Sequence, residues 1–180
     1  MFWKPFRFEG KIYDLRHLHP RKITYVHEAQ GGKPEARYNV NLTYGLHCFT
    51  HKEEENEKPD EALLYSDDRE TRVFDFNRWH LSYELPAIIE SLLKRKCYQT
   101  QRRNFLTVGM LDQDGNAVIQ YEVYFRVTNS PKGDAIDLFV ETGYLRDKPA
   151  QGNFRHHNKP VGFAVILKKT RERLPIPLQK

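Results

Sequence analysis

The sequence predicts an α+β fold, a single domain of 180 residues in which a mainly antiparallel sheet packs against one dominant amphipathic helix. Three observations lead to this fold class. Several segments alternate between apolar and polar residues with the two-residue period of half-buried strands. One segment, from about 83 to 98, repeats its apolar residues with the period of a helix instead. The aromatic residues, 11 Phe and 10 Tyr against 2 Met, are typical of packed β-structure.

The first part of the chain predicts short strands, a loop and then one long strand. Residues 6–15 have the pattern of one or two short strands, and residues 16–36 are rich in histidine, charge and turn formers, which indicates a loop. Residues 37–50 alternate cleanly, as a half-buried antiparallel strand does. Its apolar face is formed by Tyr38, Val40, Leu42, Tyr44, Leu46 and Cys48. The acidic run at residues 51–61 predicts a solvated loop.

The helix is predicted from about Tyr83 to Tyr98, after a short strand at residues 71–76. Its apolar stripe follows the spacing i, i+3, i+4, i+7 and i+8 and consists of Leu85, Ile88, Ile89, Leu92 and Leu93. Ser82 has a side chain suited to the N-cap, and Pro86 is tolerated because amides of the first turn have no helical partner. The basic residues at the end of the segment complement the negative end of the helix dipole.

The second half of the chain predicts an antiparallel sheet. Four strands are predicted, at residues 105–111, 118–128, 136–146 and 161–169. The dipeptide Asp114-Gly115 between the first two is a strong signal for a hairpin turn. Residues 148–159 predict a basic loop, and the prolines of the tail at residues 172–180 cannot continue a sheet.

Charge and cysteine content narrow the class of protein. The net charge of +5 and the pI of about 9.1 favour an anionic partner. Cys48 and Cys97 are too few for a disulfide scaffold and indicate free thiols in a reducing compartment. The N-terminal residues lack the apolar region of a signal peptide, and no apolar run approaches the roughly 20 residues that cross a bilayer. The sequence therefore predicts a cytoplasmic protein without a membrane partner.

The strand that contains DLFVETGYLRDK, residues 137–148, ends in side chains suited to chemistry. By the two-residue period of a strand, Thr142, Tyr144 and Arg146 lie on one face and replace the apolar residues that precede them. A strand of this kind either runs out into solvent or carries a polar site. These three residues are candidate catalytic residues.

Two histidines are candidate proton carriers near neutral pH. His47 lies on the polar face of the long strand, and His80 lies just before the predicted helix, where the dipole would favour a neutral base. Each also has an ordinary interpretation. His47 would then be an exposed residue at a strand end, and His80 would help Trp79 to pack.

No metal or other cofactor is predicted. The segments His17-x-His19 and His47-Cys48-x2-His51 offer nitrogen and sulfur donors, but neither has the spacing of a known zinc motif. The sequence contains no G-x-S-x-G elbow and no glycine-rich phosphate loop. A nucleotide-binding enzyme is therefore disfavoured.

Basic residues form two groups along the chain, one around the end of the predicted helix and one in the last third. Together they would follow a phosphate backbone, with Tyr124 or Tyr144 for base stacking. The alternative is a solvated surface balanced by the 24 acidic residues. The residues predicted to bind nucleic acid are Lys94, Arg95, Lys96, Arg102, Arg103, Lys148, Lys168 and Lys169.

The sequence resembles two known groups of proteins. Six phrases spread over most of the chain resemble a bacterial family labelled stationary-phase growth adaptation proteins: YDLRHLHP, YGLHCFT, DRETRVFDF, ELPAIIESLLKRKCY, YEVYFRVTNS and LFVETGYLRD. That resemblance implies a bacterial, cytoplasmic protein. A helix followed by four antiparallel strands, over about residues 82–170, is similar to the barnase–EndoU–colicin–RelE group of small ribonucleases, which cleave RNA without metal. The second resemblance implies site residues at Thr142, Tyr144 and Arg146, with His80 or His47 as the base.

The leading hypothesis is a nucleic-acid-acting protein, a metal-independent ribonuclease of the toxin or phage-conflict type. In that mechanism one of the two histidines deprotonates the 2′-hydroxyl, and Tyr144 stacks on a base or donates a proton. Arg146, with Lys168 or Lys169, stabilises the charge of the phosphorane. One alternative is a non-catalytic module that docks a protein partner in a bacterial defence or stress system. Another is RNA or DNA binding without cleavage.

Overall fold

The α+β fold is confirmed: a seven-stranded, mostly antiparallel sheet packs against the helices. A computed structural model describes residues 2–29, 31–32, 34–53, 59–100, 102, 104–113, 117–131, 133, 135–145 and 159–176. For residues 108–113 and 117–119 the description covers the backbone alone. Most of the predicted basic loop, the centre of the acidic run and the last four residues lie outside the described residues.

The large sheet has the strand order β12-β8-β9-β10-β11-β4-β3. Its strands are β3 (Arg21–His27), β4 (Ala36–Tyr44), β8 (Lys96–Gln99), β9 (Phe105–Gln113), β10 (Ala117–Asn129), β11 (Ile136–Leu145) and β12 (Val161–Gly162). Neighbours pair antiparallel except β4 and β11, which are parallel. β9 and β10 pair as the predicted hairpin does, although the turn residues Asp114 and Gly115 lie outside the described residues.

Two small sheets cover one end of the molecule. They contain β1 (Phe6–Phe8) with β2 (Lys11–Tyr13), and β5 (Thr50–His51), β7 (Thr71–Phe74) and β6 (Leu64–Ser66) in that order. Aromatic rings hold the two together, since the Phe6 ring stacks on the Phe74 ring with centroids 3.9 Å apart.

The predicted helix exists, but it begins and ends earlier than predicted. It consists of α1 (Phe76–Leu81) and α2 (Leu85–Glu90), joined by a 3-10 turn and followed by another at residues 92–94. The prediction of Ser82 as N-cap is wrong: Asp75 caps α1 by accepting a hydrogen bond from the amide of Arg78. The Ser82 hydroxyl is buried and donates to the Trp79 carbonyl instead.

The apolar stripe of the helix does face the core. Leu85, Ile89 and Leu92 are fully buried, and burial of each such side chain contributes about 1.5–3 kcal/mol. The segment after it, from Lys96 onward, was predicted as helix but forms β8, where Cys97 is buried beside β9.

The last predicted strand is wrong in its second part. Only Val161 and Gly162 form a strand, and the segment Phe163–Arg171 is a helix, α3. Phe163, Ile166 and Leu167 are its buried residues and follow the helical spacing i, i+3, i+4. A nine-residue apolar run fits a strand and a buried helix equally well by periodicity, and here packing against the sheet decides for the helix.

Two other boundaries differ from the prediction. The region expected to be loop contains the edge strand β3. The long strand ends at Tyr44, because the chain leaves the sheet at Gly45 and forms a 3-10 turn over Leu46–Cys48.

The helices α2 and α3 share one face of the sheet. The Tyr25 hydroxyl donates to the Ile89 carbonyl at 2.6 Å, and the Phe163 ring contacts the rings of Tyr25 and Phe125. We call this the inner face and the opposite one the outer face. Within the part of the chain that is described, no helix has the length and apolar content that crossing a membrane requires.

Candidate functional site

A β-bulge decides which face of β11 carries the candidate residues. Phe125 pairs with Val140 but Tyr124 pairs with Thr142, so Glu141 is an extra residue in β11. Val140 lies on the inner face. Because one extra residue reverses the alternation, Thr142 and Tyr144 lie on the outer face. The two-residue period alone predicted that these two residues share the face of the preceding apolar residues. That prediction is wrong, because the bulge moves them to the outer face.

His47 and Thr142 come together beside Arg78. The Thr142 hydroxyl donates to the His47 carbonyl at 3.1 Å. The Nη1 of Arg78 donates to the same carbonyl at 3.2 Å and to the Thr50 carbonyl at 3.1 Å. The guanidinium carbon of Arg78 also lies 5.9 Å from the ring centroid of Tyr144. We call His47, Arg78, Thr142 and Tyr144, with the carboxylates Glu70 and Asp75, the arginine-centred cluster.

The imidazole of His47 is held by a carboxylate. Its Nε2 lies 2.7 Å from Oε1 of Glu70, and the two side chains are 42% and 40% exposed. Partial burial alone would raise the pKa of Glu70, but the hydrogen bond and charge of His47, with those of Arg72, outweigh it and lower that pKa. A solvent-accessible imidazole oriented by a carboxylate is the arrangement that general acid–base catalysis uses.

A second histidine–carboxylate contact adjoins the first. Nδ1 of His51 lies 3.2 Å from Oδ2 of Asp75, and the Nε of Arg78 lies 3.6 Å from the same oxygen. Asp75 therefore caps α1, contacts His51 and orients Arg78 at once. The cluster is tied to the small sheet as well as to β11.

A chain of hydroxyl groups lies on the outer face next to Arg78. The rings of Tyr124 and Tyr144 stack with centroids 5.8 Å apart. The Tyr144 hydroxyl lies 3.4 Å from that of Tyr124, which donates to Glu122 at 2.9 Å. Glu122 is only 2% exposed. Burial, followed by the contacts with Tyr144 and Glu122, raises the pKa of Tyr124, so this phenol stays protonated.

Beneath the cluster the packing is tight and contains one buried hydroxyl. The Tyr121 hydroxyl is fully buried and has no hydrogen-bond partner among the described residues. It lies directly over Gly143, where an added Cβ would be 2.4 Å from that oxygen. The thiol of Cys48 is also buried, and burial raises its pKa to about 12. Burial raises the pKa of the free thiol of Cys97 in the same way.

Of the two remaining predicted catalytic residues, His80 does not join the cluster. His80 is exposed and follows Arg78 by two residues on α1, which places it about 200° around the helix axis from Arg78. Arg146 lies outside the described residues. Of the five candidates, the structure brings together His47, Thr142 and Tyr144.

Three members of the cluster, Arg78, Glu70 and Asp75, were not among the candidates that the sequence suggested. Glu70 lies between Arg69 and Arg72 in the sequence, which favours an ion pair with a neighbouring arginine. The ion pair exists, since Arg72 lies 3.4 Å from Glu70, but the same carboxylate also binds His47. The spacing Asp75-x-x-Arg78, an N-cap followed by a cation at i+3, is a sequence signal for the position of Arg78.

A second region gathers unpaired cations. β12 pairs with β8, with Gly162 opposite Lys96, and so joins two segments that contain no acidic residue, 91–111 and 148–171. The two segments contain 11 Lys and Arg, a formal charge of +11. The rest of the chain contains 18 Lys and Arg against 24 Asp and Glu, a charge of −6, which together with +11 gives the net charge of +5.

Four exposed cations of this region have no side-chain partner within the described residues. They are Lys94, Lys96, Arg102 and Lys159, and we call them the basic edge. Arg95 belongs to the same segment and donates to the Ser91 hydroxyl at 2.7 Å. Arg103 and Lys148 lie outside the described residues.

Lys168 and Lys169 are not part of the basic edge. They lie at the far end of α3, whose nine residues span about 13 Å. Lys168 lies 3.9 Å from Glu172, and Lys169 donates to the Pro175 carbonyl.

The basic edge and the arginine-centred cluster are separate surfaces of one sheet. Tyr98 of β8 and Thr142 of β11 lie in one cross-strand row, through Leu106 and Tyr124. Three strand spacings amount to about 14 Å. Leu106 is buried between them.

The described residues thus define an α+β protein with a cationic sheet edge and a separate histidine–carboxylate cluster. Among these residues, no three His, Cys, Asp or Glu side chains are grouped closely enough to hold a metal ion. The chain belongs to the YjaZ family, whose model matches residues 5–171. It is similar to "Protein YjaZ" of Escherichia coli strain K12, with 30% identity over 173 residues, which are 91% of this chain and 88% of that protein. No solved structure matches the chain.

Proposed function

We propose that this protein binds nucleic acid, and RNA in particular, through the basic edge. The observation that carries the proposal is the pairing of β12 with β8, which joins the two acid-free segments. Lys94, Lys96, Arg102 and Lys159 are exposed there without acidic partners among the described residues. Elsewhere most described arginines have a carboxylate neighbour, as Arg16, Arg21 and Arg37 do.

The physical basis is the release of counterions. A polyphosphate is surrounded by condensed cations, and each lysine or arginine that neutralises a phosphate sets one free. A cation already paired with a carboxylate supplies little of this gain. An unpaired and exposed cation supplies it fully, so the basic edge is the part of the described surface suited to a phosphate backbone.

Binding is tested by fluorescence anisotropy with a labelled mixed-sequence RNA at several salt concentrations. The double variant Lys94→Glu, Lys96→Glu should lower the affinity about tenfold or more and reduce the slope of log K against log salt by about 1 to 2. Lys11→Glu, Lys22→Glu is the matched control, because it makes the same change of charge on β2 and β3. Equal losses for both variants, or no binding by the wild type, would refute the basic edge as the site.

A second candidate function, cleavage of the bound RNA, is favoured by the contact between His47 and Glu70. In this proposal His47 takes the proton of a 2′-hydroxyl, whose oxygen attacks the adjacent phosphorus while the 5′-oxygen leaves. The products are a 2′,3′-cyclic phosphate and a 5′-hydroxyl. Glu70 holds the imidazole and stabilises its protonated form. The similarity to small ribonucleases belongs to this proposal.

Other members of the arginine-centred cluster would stabilise charge in that reaction. Arg78 lies next to His47 and Tyr144 and would face the charge that develops on the phosphorus oxygens. In this proposal Arg78 stabilises the charge of the phosphorane, the role that the sequence predicted for Arg146 with Lys168 or Lys169. Tyr144 would donate a proton or stack on a base. RNA held at the basic edge would have to extend about three strand spacings to reach the cluster.

Cleavage is tested with purified protein and RNA in EDTA. His47→Ala should slow cleavage about 10²- to 10⁴-fold, the usual contribution of a general base. The variant keeps the backbone carbonyl that Thr142 and Arg78 contact, so the local fold is preserved. His80→Ala is the control and should cleave as the wild type does. No cleavage by the wild type, or equal rates for His47→Ala, would exclude this function.

A further inference from the structure

Tyr98 differs from every other tyrosine of the protein. It is partly exposed on β8. Among the described residues, its ring contacts no other ring, its hydroxyl has no hydrogen bond, and it is not packed on the hydrophobic core. Nine other tyrosines are each held by the core, a ring contact or a hydrogen bond: Tyr13, Tyr25, Tyr38, Tyr44, Tyr65, Tyr83, Tyr121, Tyr124 and Tyr144.

The strand alternation places Tyr98 among the cations of the basic edge. Cys97 is fully buried on the inner face, so its neighbours Lys96 and Tyr98 lie on the outer face. These two side chains are separated by about 6.6 Å, two strand rises. Arg102 follows in the short connection between β8 and β9, where its amide donates to the Thr100 hydroxyl. Along the chain Tyr98 thus lies between Lys96 and Arg102, two exposed cations without an ion pair among the described residues.

The sheet edge at Tyr98 is open in the described part of the chain. β12 pairs only with Lys96 and Cys97, so its cover ends one residue before Tyr98. A ring in this position is accessible from the edge. Tyr98 pairs with Leu106 across the strands, and its partly exposed ring is an aromatic surface on which a base can stack.

We infer that the basic edge binds single-stranded nucleic acid, with one base stacked on the ring of Tyr98. This inference rests on the proposed nucleic-acid binding and names its substrate class. Lysines and arginines contact phosphates of any strand, but an aromatic face can stack only on a base that is free of its own helix. A partly exposed ring among exposed cations therefore selects an unpaired strand over a duplex. It gives little preference among the bases, since each has a π face.

The test compares Tyr98→Ala with Tyr98→Phe in anisotropy titrations of a single-stranded RNA and of the duplex of the same sequence. Tyr98→Ala should weaken binding of the single strand about 5- to 100-fold. Tyr98→Phe should retain it, because stacking does not need the hydroxyl. The salt slope should stay the same in both, since no phosphate contact is lost. The wild type should bind the duplex more weakly than the single strand. Tyr83→Ala, at another exposed tyrosine, is the matched control and should bind as the wild type does.

A crosslink gives a measurement that does not depend on a variant. RNA that contains 5-bromouridine, irradiated in complex with the wild type, should attach to the peptide that carries Tyr98. Equal affinity for duplex and single strand, equal affinities of Tyr98→Ala and Tyr98→Phe, or a crosslink only to other peptides would each overturn the inference. Equal competition by polyglutamate and by single-stranded RNA would do so too. These outcomes are distinct from failure of the proposed function, which appears as no binding by the wild type or as equal losses in the Lys94→Glu, Lys96→Glu variant and the Lys11→Glu, Lys22→Glu control.

Discussion

The arginine-centred cluster and the basic edge use positive charge in opposite ways. In the cluster the guanidinium and the imidazole each have a carboxylate: Arg78 contacts Asp75, and His47 contacts Glu70. In the basic edge the exposed cations have no such partner among the described residues. Compensated charge fixes the position of side chains and of the segments that carry them. Uncompensated charge contributes nothing to the fold and remains available to an external anion.

The two regions differ in packing as well. Gly143 lies under the cluster, where an added Cβ would meet the Tyr121 ring at 2.7 Å and Leu85 at 3.0 Å. Gly162 lies beside the basic edge, where an added Cβ would meet nothing within 4 Å. The cluster is built into the core, whereas the basic edge lies on its rim. Stability should therefore respond to changes in the first region and binding to changes in the second.

The largest difference should come from alanine at these two glycines. Gly143→Ala should lower the free energy of unfolding by about 3 kcal/mol, because the new methyl group overlaps a fully buried ring. Gly162→Ala should leave it within about 0.5 kcal/mol or raise it slightly, since the backbone there has an ordinary φ of −66°. Urea denaturation measures both.

A further variant tests whether Tyr121 is the group that clashes with the new methyl group. Tyr121→Phe removes the nearest atom, and its buried hydroxyl has no hydrogen-bond partner to lose among the described residues. Tyr121→Phe should recover part of the loss in the Gly143→Ala background. If the double variant is no more stable than Gly143→Ala, the clash lies elsewhere.

The sequence predicts much of the fold because its local patterns agree with the final packing. The stripe of Leu85, Ile88 and Ile89 is buried as predicted, and the alternation of β4 continues as far as Tyr44. The errors arise where local pattern is ambiguous or long-range contacts decide. The run after Gly162 fits strand and helix alike, and the parallel pairing of β4 with β11 has no local signature.

The candidate site was less predictable than the fold. Periodicity identified Thr142 and Tyr144 as an unusual pair, but the bulge at Glu141 that turns them to the outer face is a property of the pairing with β10. Arg78 is about 30 residues from the carbonyls of His47 and Thr50 that it contacts, so only the tertiary fold relates them. The same holds for the two acid-free segments, which the sequence separates and β12 joins.

The next largest effect should come from Arg78→Ala. The Thr50 carbonyl would lose its guanidinium donor, the His47 carbonyl would keep only Thr142, and Asp75 would lose a cationic neighbour. Together these losses should cost about 2 kcal/mol of unfolding free energy. Arg126→Ala is the comparison, because Arg126 forms an ion pair with Glu141 while 58% exposed. Pairs of that kind contribute about 0–1 kcal/mol. Equal losses in chemical denaturation would show that Arg78 does not brace the cluster.

A smaller effect should appear as pH dependence at Glu70. Its pKa in the folded protein is lower than the usual value near 4.5, so its ionised form favours the folded state. The stabilisation is fully present above the unfolded pKa and is lost as the pH falls through the folded pKa. Because the pair with His47 is exposed, we expect less than about 1 kcal/mol.

The measurement is unfolding free energy of the wild type and of Glu70→Gln between pH 7 and pH 3. The two curves should converge as the pH falls. Asp14 and Asp67 also have lowered pKa values, but they are present in both proteins and cancel in the difference. A difference that is constant with pH would mean that the charge of Glu70 does not stabilise the cluster.

The smallest effect on stability should come from the basic edge itself. Lys94→Ala, Lys96→Ala should change the free energy of unfolding by less than about 0.5 kcal/mol, because both side chains are exposed and form no ion pair within the described residues. The same variant should reduce the salt slope of RNA binding by about 1 to 2. A loss of stability comparable to that of Arg78→Ala would mean that these lysines serve the fold, and the contrast between the two regions would then fail. If stability is unchanged while the salt slope falls, Lys94 and Lys96 contribute to RNA binding and not to the stability of the fold.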